Sequence, residues 1–228
     1  MKMRHLVRPT PALAALLVGI TFLSLVAGQA RAKKYPEPSI LPPDQQTPRT
    51  WQLKFRHGVP KRIAVAVAGQ KTPTAYWYIT YTVVNESGEE QTFLPQFEMV
   101  TQDGKIHRSD QNIALEVFQA IKKREANEML KSATDISGRL HQGEDQAQDG
   151  VAIWEEPMAR MGSFSIYVGG LSGEFAEMKT DDGKPMLDAE KKPVILRKTL
   201  ELNYVIWGDE VKPEKDDVHD RAERWIMR

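Results

Sequence analysis

From Trp51 onward, apolar and polar residues alternate with a period of two. Trp51, Leu53 and Phe55 alternate with Gln52, Lys54 and Arg56, and Ile63, Val65 and Val67 with Arg62, Ala64 and Ala66. Trp77, Ile79, Tyr81 and Val83 alternate with Tyr78, Thr80 and Thr82. Phe93, Phe97 and Met99 share a face, with Pro95 marking a bulge or an edge. Val151 and Ile153 form a short run, and Phe164, Ile166 and Val168 alternate with Ser163, Ser165 and Tyr167. Leu196, Leu200, Leu202, Tyr204 and Ile206 share the last apolar face. Successive side chains on a strand point to opposite sides, so each run predicts a strand with one buried and one wetted face. Seven such strands predict a mainly β chain, an immunoglobulin-like antiparallel β-sandwich spanning residues 51–211. Asn85-Glu86-Ser87-Gly88 reads as the turn of a hairpin, with Gly88 free to take positive φ. Asn85-Glu86-Ser87 also matches the N-glycosylation pattern, but the turn already accounts for the asparagine.

Two segments change period. Between residues 111 and 131, Ile113, Val117 and Ile121 form a helical stripe beside Ala114 and Phe118, with Asp110 or Ser109 placed to cap it. This predicts a helix inserted in the β domain. Across residues 212–228, Val218, Ala222, Trp225 and Ile226 fall on one stripe, acids lead and arginines follow, which predicts a C-terminal helix. That helix would either dock on its own domain or serve as an amphipathic hook for a partner. The charged loop from Ser172 to Pro193 contains Asp181-Asp182-Gly183-Lys184-Pro185, the signal for a small excursion hairpin.

The start of the chain reads differently. Lys2, Arg4, His5 and Arg8 precede an apolar run from Ala12 to Gly28, followed by Ala30-Arg31-Ala32. A basic start, an apolar middle and a small-x-small exit predict a secretory signal peptide over residues 1–32, with Ala30 and Ala32 at the cleavage site. An uncleaved anchor is the competing reading, since the run approaches the roughly 20 residues that cross a bilayer. Residues 33–50 carry Pro36, Pro38, Pro42, Pro43 and Pro48, which predicts an extended proline-rich linker. Export to the periplasm or beyond follows, with no membrane span once the signal is removed.

Composition narrows the chemistry. The 228 residues include no Cys, which excludes disulfides, Cys-ligated metal, a thiol nucleophile and a lipid-modified cysteine. Residues 1–32 hold four of the 31 Lys and Arg and no acid, so the mature chain has 27 bases against 31 acids, a net of −4. That balance argues against a nucleic-acid partner.

Candidate active groups are sparse. Gly170-Leu171-Ser172-Gly173-Glu174 resembles a nucleophile elbow but has Glu where the pattern needs Gly. Asp216, Asp217, His219 and Asp220 could hold a hard cation, and Met158 and Met161 a soft one, but the acids are better explained as the first turn of a helix and the two Met lack a nearby His or Cys. Glu155 and Glu156 are adjacent and point to opposite sides of a strand, so they cannot act as a hydrolytic pair by themselves. No catalytic residue, metal site or cofactor is therefore assigned. The candidate binding face is Tyr76 and Tyr78, opposite Trp77, Ile79 and Tyr81. These rings either stand outward as a platform for a sugar or peptide, or pack beneath the inserted helix or a loop.

The stretch YWYITYTVVNESGEEQTFLPQFEMVTQDG (76–104), with DGVAIWEE and IYVGGLSGEF further on, resembles the immunoglobulin-like domains of unknown function in uncharacterised exported bacterial proteins of the kind planctomycetes encode. The resemblance implies the fold and the export and brings no catalytic residues with it. The expectation is an exported non-enzymatic binding or structural module of the bacterial envelope, its partner an envelope protein or polysaccharide. An exported hydrolase with an unrecognised site, or a periplasmic metal-binding protein, is the alternative.

Overall fold

The computed structural model describes residues 51–207 and 218–228. The signal segment with Ala30 and Ala32, the linker 33–50, and residues 208–217 with Asp216 and Asp217 lie outside the described residues. In chain order the strands are β1 (Lys54–His57), β2 (Lys61–Val65), β3 (Thr74–Val84), β4 (Gln91–Phe93), β5 (Gln96–Thr101) and β6 (Ile106–Arg108). The helices α1 (Leu115–Arg124) and α2 (Ala133–Ile136) follow. Next come β7 (Gly138–Leu140), β8 (Gln148–Glu155), β9 (Ser163–Gly169), β10 (Phe175–Glu177), β11 (Ile195–Ile206) and β12 (Val218–Met227). The chain is thus mainly β, and every strand pair in its sheets is antiparallel.

The first sheet is built on β3. β8 pairs along one edge of β3, and β1 and β2 lie end to end along the other. Their registers differ by one residue: His57 is opposite Tyr81, yet Lys61 is opposite Tyr78. The Gly58-Val59-Pro60 link therefore acts as a bulge, and a one-residue slip turns every later side chain to the other face. Leu53 and Phe55 accordingly pack on one side of the sheet, and Ile63, Val65 and Val67 on the other.

Both sides of β3 are consequently buried. Trp77, Ile79, Tyr81 and Val83 join Trp154 of β8 in the main core. Facing them across that core are Phe97 and Met99 of β5, Phe164, Ile166 and Val168 of β9, and Leu200, Leu202 and Tyr204 of β11. Ring contacts tie the two layers together: Tyr81 to Phe97 at 4.9 Å and Trp77 to Phe164 at 5.9 Å between centroids. On the other side of β3, Tyr76 and Tyr78 with Val151 and Ile153 form a second core under Val117 and Ile121 of α1.

The second sheet runs β10-β11-β9-β5-β6, with β12 along the other edge of β11. β12 corrects the predicted C-terminal helix. It pairs with β11 from Met227 opposite Lys198 to Val218 opposite Ile206, with one bulge at Arg221. In a ten-residue segment a helical stripe and a strand alternation share too many positions to separate. The ladder offered by β11 decides, along with the Arg224–Glu201 ion pair across it. Charged side chains along β12 also guard this sheet edge.

Two smaller expectations change. Asn85–Gly88 does not close a hairpin, because β4 leaves the first sheet and pairs with β7 in a two-stranded ribbon. The inserted helix is present but shorter than residues 111–131, and its N-cap is Ala114, with no capping side chain. The expected excursion hairpin is present, with Lys179 bridged to Pro185 around a turn at Gly183.

Candidate functional site

The outer face of the second sheet is where strand register gathers chemistry. Side chains directly opposite one another in antiparallel strands share a face, so cross-strand rows follow from the pairing. One row crosses five strands: Arg108 on β6, Glu98 on β5, Tyr167 on β9, Glu201 on β11 and Arg224 on β12. The Tyr167 hydroxyl donates to Glu201 at 3.1 Å, and Arg224 pairs with the other Glu201 oxygen. Arg108 reaches Glu98 at 3.3 Å. Arg228 reaches Glu98 at 2.6 Å and lies over the Tyr167 ring at 4.2 Å. Burial, reinforced by the Glu201 carboxylate, raises the Tyr167 hydroxyl above the ordinary tyrosine value, so it serves as a neutral donor.

Glu201 is 4% exposed, and a buried carboxylate is tolerated only when paired and hydrogen-bonded. The row therefore fixes Tyr167, Arg224 and Arg228 as a rigid centre. A cleft flanks it on either side. The first, of about 480 Å³, lies between Trp51, Gln96, Tyr167, Gly169, Arg197 and Thr199. The second, of about 470 Å³, lies between Gln102, Ser163, Ser165, Asn203, Arg221 and Ala222. The Arg221 bulge turns that side chain toward the second cleft, a common use of a bulge at a binding surface.

Glycines shape the first cleft. Gly170 has φ +83°, and a β-carbon there would strike the Leu94 carbonyl; one on Gly173 would sit 2.7 Å from the Trp51 indole nitrogen. Gly169 differs. A β-carbon there would meet only Gln96, at 3.5 Å, so its missing side chain leaves space in the cleft without any backbone need. Chemically, the face offers guanidinium, amide and hydroxyl groups on a stiff platform, a surface suited to binding.

The sequence-predicted residues fall elsewhere. Tyr76 and Tyr78 are not an outward platform: they are 4% and 0% exposed, roofed by α1, and the Tyr78 hydroxyl donates to Glu125 at 2.6 Å. An alternating strand shows which residues share a face but not what covers that face. Ser172 is buried, its hydroxyl donating to the Trp51 carbonyl at 3.3 Å and accepting from the Glu174 amide at 3.1 Å, which makes it a turn residue. Met161 is fully buried in the main core, and Met158 packs against it. Glu156 pairs with Arg62, and Glu155 stands exposed on the other face. His219 and Asp220 lie on β12, and among the described residues no group of three or more His, Asp or Glu is placed to hold a metal ion.

Tyr167, Glu201 and Asn203 were visible in the sequence only as the polar side of two strands. Arg108, Arg197, Arg221, Arg224 and Arg228 carried no signal as a group, because only pairing brings them together. Among the described residues no helix is long and apolar enough to cross a membrane. No family model, curated protein or solved structure matches the chain.

Proposed function

We propose that the two sheets form an immunoglobulin-like β-sandwich, and that the chain is an exported, non-enzymatic binding module of the bacterial envelope akin to the domains it resembles. The leader-like start and the absence of Cys support export without disulfides. The two layers sharing one aromatic core support the sandwich.

One observation carries the binding role: two clefts flank an ion-paired row whose side chains are locked by β-sheet register. Locked polar groups beside open space lower the ordering cost of binding, the usual advantage of a preorganised surface. The envelope supplies the partner, a polysaccharide or a protein.

Expression in a bacterial host, followed by fractionation and mass measurement, tests export. The expected product begins at Lys33 and is found outside the cytoplasm. Sedimentation of this product with purified envelope tests binding, which Gly169→Leu should weaken by filling the first cleft. A chain that stays intact in the cytosol, or that never sediments with envelope material, refutes the reading.

A further inference from the structure

Charge on the outer face of the second sheet runs against the charge of the chain. Taking β5, β6, β9, β11 and β12 with the following Arg228, that face carries five arginines: Arg108, Arg197, Arg224 and Arg228 by register, and the bulged Arg221 by its place in the second cleft. Only two acids, Glu98 and Glu201, share it, although Glu177 lies beyond on β10. The surplus is three positive charges, on a chain whose net charge without residues 1–32 is −4. A local surplus of this kind concentrates anionic ligands and steers them to one face.

The surplus has a pattern. Arg108, Arg224 and Arg228 are engaged with Glu98 and Glu201 at the centre. Arg197 and Arg221 stand at the two ends, one beside each cleft, both exposed and neither with an acidic partner among the described residues. Arg221 is the bulged residue beside Ala222, which pairs with Asn203, six positions along β11 from Arg197. At about 3.4 Å per residue the two guanidinium groups are anchored about 20 Å apart along the strands. Between them lie hydroxyl and amide groups: Ser165 and Asn203 toward one end, Gln96 and Thr199 toward the other.

From this placement we infer that the face binds an extended acidic oligosaccharide, laid along the strands with an anionic group at each end. This deepens the envelope-binding reading above and rests on it. Guanidinium groups pair with carboxylate or phosphate in a two-pronged geometry, and the intervening hydroxyls and amides exchange hydrogen bonds with sugar hydroxyls. Trp51 gives the sugar rings apolar surface at one rim.

Three soluble probes test the assignment by titration calorimetry: tetragalacturonate, which carries carboxylates; a phosphorylated maltotetraose, which carries phosphates; and neutral maltotetraose. Tight binding of one or both acidic probes, weakening steeply between low and about 0.5 M salt, is expected, with no binding of the neutral sugar. Whichever acidic probe binds more tightly identifies the anion. Arg197→Gln and Arg221→Gln should each weaken binding about tenfold, and Gly169→Leu should weaken it comparably. Both arginines are exposed and without acidic partners among the described residues, so unchanged melting curves are expected for those variants. Equal binding of the neutral sugar overturns the inference, as does acidic binding indifferent to all three substitutions. Sedimentation with purified envelope but no binding of either acidic probe overturns the acidic glycan and leaves the binding module standing. Loss of both overturns the two readings together.

Discussion

Asp110 gives the sharpest test of the packing. It follows β6, takes a left-handed backbone conformation with φ +59°, and donates its amide to the Ile153 carbonyl at 2.7 Å. Burial raises its carboxyl from 3.8 to about 6, against a smaller opposing effect of hydrogen bonding to Ser109. Native Asp110 therefore holds its proton more tightly than the unfolded chain does. Its contribution to stability is full in acid, below the unfolded value, and is lost as pH rises through about 6. At 1.36 kcal/mol per tenfold change in proton affinity, the displacement from 3.8 to about 6 amounts to about 3 kcal/mol. Part of the Asp110 surface still meets water, so about 1–2 kcal/mol is the expected effect.

Asp110→Asn isolates that term. Asparagine also tolerates positive φ, so the backbone is kept while the charge is removed at every pH. Urea unfolding of both proteins at several pH values is the assay. Near about pH 3.5 the two should be equally stable, and near about pH 7.5 the Asn variant should be more stable by about 1–2 kcal/mol. For a chain of this length that is a rise in Tm of about 2–8 °C. An Asn variant no more stable than the parent at neutral pH, or a gain of equal size in acid, would refute the burial of this carboxyl.

The other expectations concern neighbouring parts of the core. A methyl group on Gly150 would sit 2.6 Å from the Tyr81 hydroxyl and 2.7 Å from the Ile136 side chain, so Gly150→Ala should lower unfolding free energy by about 1–3 kcal/mol, read from urea midpoints. The Tyr81 hydroxyl is buried with no hydrogen-bond partner among the described residues, so Tyr81→Phe should leave stability unchanged or raise it by up to about 1 kcal/mol, and a clear loss would reveal a partner. Asn85 is fully buried and gives its amide to the Glu89 and Leu140 carbonyls at 2.7 and 2.8 Å. Asn85→Ala should cost about 2–4 kcal/mol by calorimetry, and the native asparagine should stay unmodified when the chain passes through a glycosylating host.

The parts of the fold legible in the sequence are those where one face of a strand meets the core. Trp77 to Val83, Phe164 to Val168 and Leu200 to Ile206 are strands whose apolar positions enter the main core as the alternation predicts. The reversal at Gly58-Val59-Pro60 was hidden, because Phe55 and Ile63 are each apolar and a one-residue slip leaves the alternation intact on either side. β6, β7 and β10, three residues apiece, carry too few positions to show a period. β12 was misread because its acids and arginines are ordered as a helix dipole would order them, whereas a sheet edge and cross-strand pairing account for them equally well. The candidate site was the least legible. Arg108 and Glu98 are ten residues apart, Tyr167 and Glu201 thirty-four, and only strand register brings them into one row.

The most direct test of the binding face is to watch the arginine side chains. With isotope-labelled protein, the guanidinium resonances of Arg197, Arg221, Arg224 and Arg228 can be followed by NMR as an acidic tetrasaccharide is added. The shifts should concentrate on these four residues, with Arg197 and Arg221 moving most, while Arg62 of the first sheet and Arg124 of α1 stay still. Shifts centred on Arg62 and Arg124, or spread evenly over the surface, would contradict the placement of the site on the second sheet.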